Sequence, residues 1–196
     1  EELSALGVNF DLAPDLDVNS NRQNVVIGVR SYGEAPQTVA DYGVAMSRGL
    51  QAGGVLSCGK HFPGHGDTAV DSHLGLPLVD KSLDALEQCE LIPFRAAIDA
   101  GIDAIMTTHI LFPQLEKEKV PATMSRAIMT GLLREKLGFK GLIISDCMMM
   151  GAIQKYYGTS PGCIAACKAG VDMVIISHDA ALAGQTAEAL YAELTQ

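Results

Sequence analysis

Residues 141–146 read GLIISD, an almost unbroken apolar run that ends on the carboxylate of Asp146. Similar runs recur along the chain, namely VNFDLAPDLDV at 8–18, GVLSCGKHF at 54–62, AIMTTHILF at 104–112 and DMVIISHD at 172–179. Near-continuous apolar strands are typical of a parallel sheet that is buried on both faces. The pattern therefore predicts about five strands of such a sheet.

The segments between these runs have helical periodicity. Apolar residues recur every three or four positions over 39–50 and again over 128–137, where Ser125 is a candidate N-cap. Ser82 is a candidate N-cap for a helix that runs towards Ala100. Alternation of strands and helices predicts an α/β protein whose parallel sheet is covered by helices.

The strand ends carry polar side chains that can take part in chemistry, namely Lys60, His61, His109, Asp146, His178 and Asp179. In a (β/α)8 barrel the carboxyl ends of all strands face one mouth, where the active site lies. An open doubly wound sheet usually uses fewer strand ends, and the chain has no G-x-G-x-x-G or phosphate-loop pattern. We therefore expect one TIM-barrel domain over residues 1–196, incomplete because only about five of eight βα units are visible.

Composition excludes several classes of partner. The net charge of −9 and the lack of Lys and Arg clusters argue against a nucleic-acid surface, and no apolar run is long enough to cross a bilayer. Five cysteines without a framework spacing indicate reduced thiols and a cytoplasmic location. Secretion stays open, because the start EELSALGVNF has no methionine and resembles the interior of a longer protein. The oligomeric state does not follow from the sequence.

The stretch GKHFPGHGDTAVDSH at 59–73 is too rich in glycine and histidine for a helix or strand and predicts a tight loop. In an extended segment Asp71 and His73 project to the same side. The Asp71 carboxylate could then accept the Nδ1–H of His73 and fix its tautomer, as in a general acid/base pair. A surface Asp–His pair without catalytic function is an equally good interpretation of these residues alone.

Asp146 also admits more than one interpretation. A carboxylate that follows a buried strand can cap the next helix or form half of a buried ion pair. It can also serve a retaining glycosidase, in which one group attacks the anomeric carbon and a second protonates the leaving oxygen.

Several motifs together resemble one family. KHFPGHGDTAVDSH followed by LGLP, at 60–77, closely resembles the signature of family 3 glycoside hydrolases, in their β-N-acetylglucosaminidase branch. Further segments resemble the family in the same order, namely NFDLAPDLDV, IGVRSYGEAP, AIMTTHILFP, LGFKGLIISDCMMMGAI and AGVDMVIISHD. The resemblance covers nearly the whole chain.

The resemblance implies a (β/α)8 barrel enzyme that needs neither cofactor nor metal. It implies retaining hydrolysis of terminal β-linked N-acetylglucosamine from a glycan, often from peptidoglycan fragments. Asp146 then corresponds to the nucleophile that forms a glycosyl-enzyme, and His73, oriented by Asp71, corresponds to the acid/base. Arg30, Lys60 and His61 correspond to sugar-binding groups.

The chain also departs from the family pattern. Cys147 stands where the family often has Asp, and we expect it to be a small packed side chain. Ala35 stands where the family commonly has Asp, which affects how the loop after Arg30 is anchored. The first barrel strands of the family, with a D-Q-E-G-G-like segment, are not visible before residue 9. We therefore expect the isolated polypeptide to fold poorly or to be inactive.

Three alternatives remain open at this point. One is a β-glucosidase-type member of the same family, which the D-S-H loop at 71–73 disfavours. Another is a metal-dependent barrel hydrolase that uses the histidines and aspartates, although no H-E-x-x-H motif is present. The last is a degenerate, non-catalytic sugar-binding module.

Overall fold

The computed structural model describes residues 1–68 and 76–195. Five short parallel strands form a single sheet, namely β1 (Phe10–Asp11), β2 (Leu56–Phe62), β3 (Ala104–Thr107), β4 (Leu142–Cys147) and β5 (Met173–Ile175). Each strand lies within the apolar run that predicted it, except that β4 extends one residue further, to Cys147.

The order of the strands identifies the architecture. They lie side by side as β1-β2-β3-β4-β5, and every neighbouring pair is parallel. A doubly wound sheet reverses its strand order at a switch point, whereas a barrel adds each strand on the same side of the last. The predicted α/β class is confirmed, and the sheet is a curled half-barrel, consistent with an incomplete TIM barrel.

Helices connect the strands and cover one face of the sheet. They are α1 (Glu2–Ala5), α2 (Pro36–Ala52), α3 (Leu83–Glu87), α4 (Leu91–Asp99), α5 (Gly151–Gln154), α6 (Thr159–Ala169) and α7 (Ala180–Leu194). Short 3-10 turns lie at Gly28–Arg30 and Ala122–Met124, and Ala127–Lys136 is a π-helix. In the part of the chain that the structure describes, no helix combines the length and apolarity that a bilayer span requires.

The helix predicted to run from Ser82 to Ala100 is wrong as a single element. Ser82 does cap a helix, since its side chain accepts the N–H of Ala85 at 3.2 Å, but α3 ends at Glu87 and α4 begins at Leu91. Pro93 explains the restart, because proline lacks the N–H that an interior helical position donates and is tolerated only in the first turn.

The strands present two different faces. The larger apolar cluster lies between sheet and helices and contains Ile105 and Ile143. A smaller cluster of Cys58, Ala104, Met106 and Ile144 fills the opposite, concave face. Because side chains alternate along a strand, Asp146 shares the concave face with Ile144. The strand pattern therefore aims the Asp146 carboxylate into the half-barrel.

Candidate active site

A cavity of about 500 Å³ opens at the carboxyl ends of the strands, within the size range of small-molecule sites. Its lining includes Arg30, Lys60, His61, His65, Asp146, Cys147 and His178, together with Leu12, Val26, Met106, Met149, Met150 and Gly151. Four residues that the sequence singled out, Arg30, Lys60, His61 and Asp146, thus share one cavity. Asp71 and His73 lie outside the described residues.

Asp146 lies half-buried at the end of β4, where the pairing with β5 is irregular between Ile144 and Cys147. Its Oδ1 accepts the backbone N–H of Cys147 at 2.6 Å. This bond holds the carboxylate close to its own strand, and the Asp146 side chain lines the cavity. The arrangement suits a group that must attack from a fixed direction.

His61 is buried, and Asp17 fixes its orientation. The Nδ1 of His61 lies 2.7 Å from Asp17 Oδ2, which also accepts the backbone N–H of His61 at 3.2 Å. Burial lowers the pKa of His61 to about 4, although the Asp15 and Asp146 charges oppose this effect. The neutral ring therefore donates from Nδ1 to Asp17 and keeps Nε2 as an acceptor, which suits a sugar hydroxyl.

Asp15 and Asp17 form a buried carboxyl pair beneath the cavity. Asp17 accepts three N–H bonds, two from His61 and one from the backbone of His65 at 2.5 Å, and such donors favour its anion. Burial and the Asp17 charge raise the pKa of Asp15 to about 7. Burial raises the pKa of Asp17 as well, but its three N–H donors favour the anion there, so we assign the proton that the pair holds below that pH to Asp15.

Asp15, Asp17 and His61 together also form a candidate metal site. Asp15, Asp17 and His61 each offer a ligand atom within 4.8 Å of the others. However, the oxygens of Asp17 and the Nδ1 of His61 are already engaged with one another and with backbone N–H groups. A cation would have to break those bonds, so the cluster fits a hydrogen-bonded support for His61 better than a metal centre.

Arg30 ends a 3-10 turn at the rim of the cavity and is exposed. Its Nη2 donates to the carbonyl of Val26 at 2.8 Å. The loop that carries it is anchored by Asn24, whose Oδ1 accepts the N–H groups of Val26 and Ile27 and whose Nδ2 donates to the carbonyl of His65. Ala35 caps α2 without a side-chain bond, and the loop after Arg30 is held instead by Ser31, whose Oγ donates to the carbonyl of Asp17 at 2.7 Å.

The remaining strand-end residues have different environments. His109 is buried, His178 is exposed and lines the cavity, and Asp179 caps α7 by accepting the N–H of Leu182 at 2.9 Å. The sequence predicts that Cys147 is a small packed side chain. In the structure it also borders the cavity, and its thiol accepts a hydrogen bond from Ser177 at 3.1 Å. All five cysteines are free thiols.

Sequence reasoning missed the supporting residues Asp15, Asp17 and Asn24. The signal for the first two was present, since two carboxylates at i and i+2 interrupt an apolar strand and require burial or partners. Asn24 gave no such signal, because its partners are backbone groups brought together only by the fold.

A parallel half-barrel with a polar cavity at the carboxyl ends of its strands is the framework of a barrel enzyme. Residues 1–194 match the family described as "Glycosyl hydrolase family 3 N terminal domain", and the chain belongs to this family. The family resemblance seen in the motifs is thereby confirmed.

Individual relatives agree with this assignment. Beta-hexosaminidase A of Pseudoalteromonas piscicida is 45% identical over 187 residues, which cover 90% of this chain and 31% of that protein. A family 3 β-N-acetylglucosaminidase from Paenibacillus sp. superposes with a TM-score of 0.96 at 49% identity, covering 97% of this chain and 36% of the other. Zinc-bound CbsA from Thermotoga neapolitana has a TM-score of 0.89 at 37% identity and covers 97% and 42%. The chain thus spans only 31–42% of the length of these relatives.

Proposed function

We propose that the chain carries the nucleophile side of a retaining β-N-acetylhexosaminidase that releases terminal N-acetylglucosamine from glycans such as peptidoglycan fragments. The observation that carries this proposal is the shared cavity of Asp146, Lys60, His61 and Arg30. The similarity to a β-hexosaminidase and a β-N-acetylglucosaminidase supports the choice of sugar.

The proposed reaction has two displacements. An Asp146 oxygen bonds to the anomeric carbon, the bond from that carbon to the aglycone oxygen breaks, and protonated His73 gives its proton to the departing oxygen. Neutral His73 then takes a proton from water, whose oxygen displaces Asp146 and restores the carboxylate. Asp71 orients His73 and stabilises its imidazolium.

The binding groups follow from their donors and acceptors. Lys60 and Arg30 carry only donors and suit sugar hydroxyls and the N-acetyl carbonyl. The Nε2 of His61 accepts from a hydroxyl. Both cations line the same cavity as the Asp146 side chain.

Covalent trapping tests the role of Asp146. A 5-fluoro N-acetylglucosaminyl fluoride should inactivate the full-length native protein, lose fluoride and add one sugar mass to the peptide that contains Asp146. Asp146→Asn is the matched control and should carry no adduct. Turnover without any adduct would instead indicate that the substrate's own acetamide is the nucleophile.

Leaving-group dependence tests the role of His73. His73→Ala should lose hydrolysis of substrates with poor leaving groups and the basic limb of the pH–rate profile, but retain cleavage of a dinitrophenyl glycoside, which needs no acid. Equal loss on both substrates would rule out His73 as the acid. Full activity after chelation would exclude the metal-dependent alternative.

A further inference from the structure

His109 is only 1% exposed and does not line the cavity. Its ring nevertheless hydrogen-bonds to the strand end that carries Asp146. Its Nε2 lies 3.1 Å from the carbonyl oxygen of Cys147, the residue after Asp146. A carbonyl oxygen only accepts, so Nε2 must carry a proton and donate it.

The other ring nitrogen is fixed by a chain of hydroxyls. The Nδ1 of His109 lies 2.9 Å from Thr123 Oγ1, which in turn lies 2.6 Å from Thr107 Oγ1. Burial lowers the pKa of His109, so the ring is neutral and Nδ1 can only accept. The single Thr123 hydroxyl proton has two acceptors, Nδ1 and the carbonyl oxygen of Thr108, which also lies 2.9 Å from Thr123 Oγ1, so Thr107 is the donor in its bond to Thr123. Both threonines are fully buried, which leaves little freedom to rearrange this chain.

The location of this contact matters because the regular sheet ends just before it. The register pairs of β3 with β4 end at Met106 and Ile144, two residues short of Asp146. Beyond that point the His109 side chain supplies a bond from the β3 side to the segment that follows the carboxylate. Cys147 in turn donates its N–H to Asp146 Oδ1 at 2.6 Å.

We infer that His109 is a positioning residue for Asp146. Its Nε2–H holds the Cys147 carbonyl, the Cys147 backbone holds the Asp146 carboxylate, and the Thr123 hydroxyl lies against the other ring nitrogen. His109 does not touch the sugar. The inference rests on the proposed function, because the position of Asp146 matters only if Asp146 attacks the substrate.

Two amide substitutions in the full-length native protein test the inference. The amide N–H of His109→Gln reaches the place of Nε2–H, whereas His109→Asn is one methylene shorter and reaches only the place of Nδ1. With a dinitrophenyl β-N-acetylglucosaminide, His109→Asn should lower kcat by about 10–100-fold at nearly unchanged KM, because a nucleophile misplaced by about 1 Å costs roughly that much. His109→Gln should stay within about threefold of the wild type.

The controls separate the possible failures. Wild type and Asp146→Asn are assayed in parallel, and a wild type that does not cleave the glycoside overturns both the proposed function and this inference. A working wild type with equal kcat for the Gln and Asn variants overturns only the role of His109, as does a loss confined to KM. If both amide variants unfold, Thr123→Val and Thr123→Ser replace them. Val should lower kcat and Ser should not, and equal rates for that pair likewise overturn the inference.

Discussion

The proton that Asp15 holds has consequences for stability at the scale of a single residue. The pKa of Asp15 is about 7 in the folded chain, against 3.8 for an unperturbed carboxyl. The folded state therefore binds one more proton than the unfolded state between these values. Its stabilising contribution is complete below about pH 4 and is lost as the pH rises through 7.

Asp15→Asn should remove this dependence. The amide can still accept the N–H of Asp17 and donate to its carboxylate, but it does not ionise. Relative to the wild type, the free energy of unfolding of the variant should rise between pH 4 and pH 8, by at most about 4 kcal/mol at 1.36 kcal/mol per pKa unit. Denaturant titrations across that range measure the difference, with the exposed Asp99→Asn as a control for net charge. Parallel curves for Asp15→Asn and wild type would contradict a proton held at Asp15.

At the scale of elements, Leu16 packs between α2 and β2, against a glycine on each of them. A Cβ at Gly43 would lie 2.3 Å from Leu16 Cδ2, and a Cβ at Gly59 would lie 2.5 Å from Leu16 Cδ1. Leu16 is fully buried and confined on both sides, so it cannot move away from either substitution. Its chain neighbours are Asp15 and Asp17, which links the packing of α2 to the support of His61.

Two glycine substitutions in the same helix should therefore have opposite effects. Gly43→Ala should destabilise the chain by about 1–3 kcal/mol through overpacking. Gly49→Ala, where a Cβ meets nothing within 4 Å, should stabilise it by up to about 1 kcal/mol because alanine favours the helix. Denaturation midpoints of the two variants provide the comparison. A Gly43→Ala variant as stable as Gly49→Ala would show that Leu16 has room to repack.

The same elements show what the sequence could and could not predict. Strand–helix alternation and the strand ends depend on local patterns, so the five strands, the parallel sheet and the places of Lys60, His61 and Asp146 in the cavity followed from them. The run at 8–18 predicted a long strand, but β1 covers only Phe10–Asp11, because Pro14 cannot donate to a ladder and the Asp17 carboxylate that follows binds His61. The contact of His109 with Cys147 spans 38 residues, and no local pattern encodes it.

The whole molecule presents two sheet edges. Among residues 1–68 and 76–195, β1 pairs only with β2 and β5 pairs only with β4. Apolar side chains near these edges are accessible, with Leu6 82% exposed and Met173 47% exposed. An accessible edge offers unpaired N–H and C=O groups to another chain. These accessible edges give a physical reason to expect that the isolated 196-residue polypeptide folds poorly.

A charge placed at the β5 edge should therefore change how the 196-residue chain associates. Inward-pointing lysines disfavour edge-to-edge pairing, so Met173→Lys should lower the self-association that light scattering detects as the concentration of the wild-type chain rises. Met46→Lys makes the same chemical change on α2, where Met46 is 39% exposed, and should leave the association unchanged. A wild-type chain that stays monomeric throughout would contradict the prediction. Equal effects of both lysines would mean that added charge, rather than protection of β5, controls association.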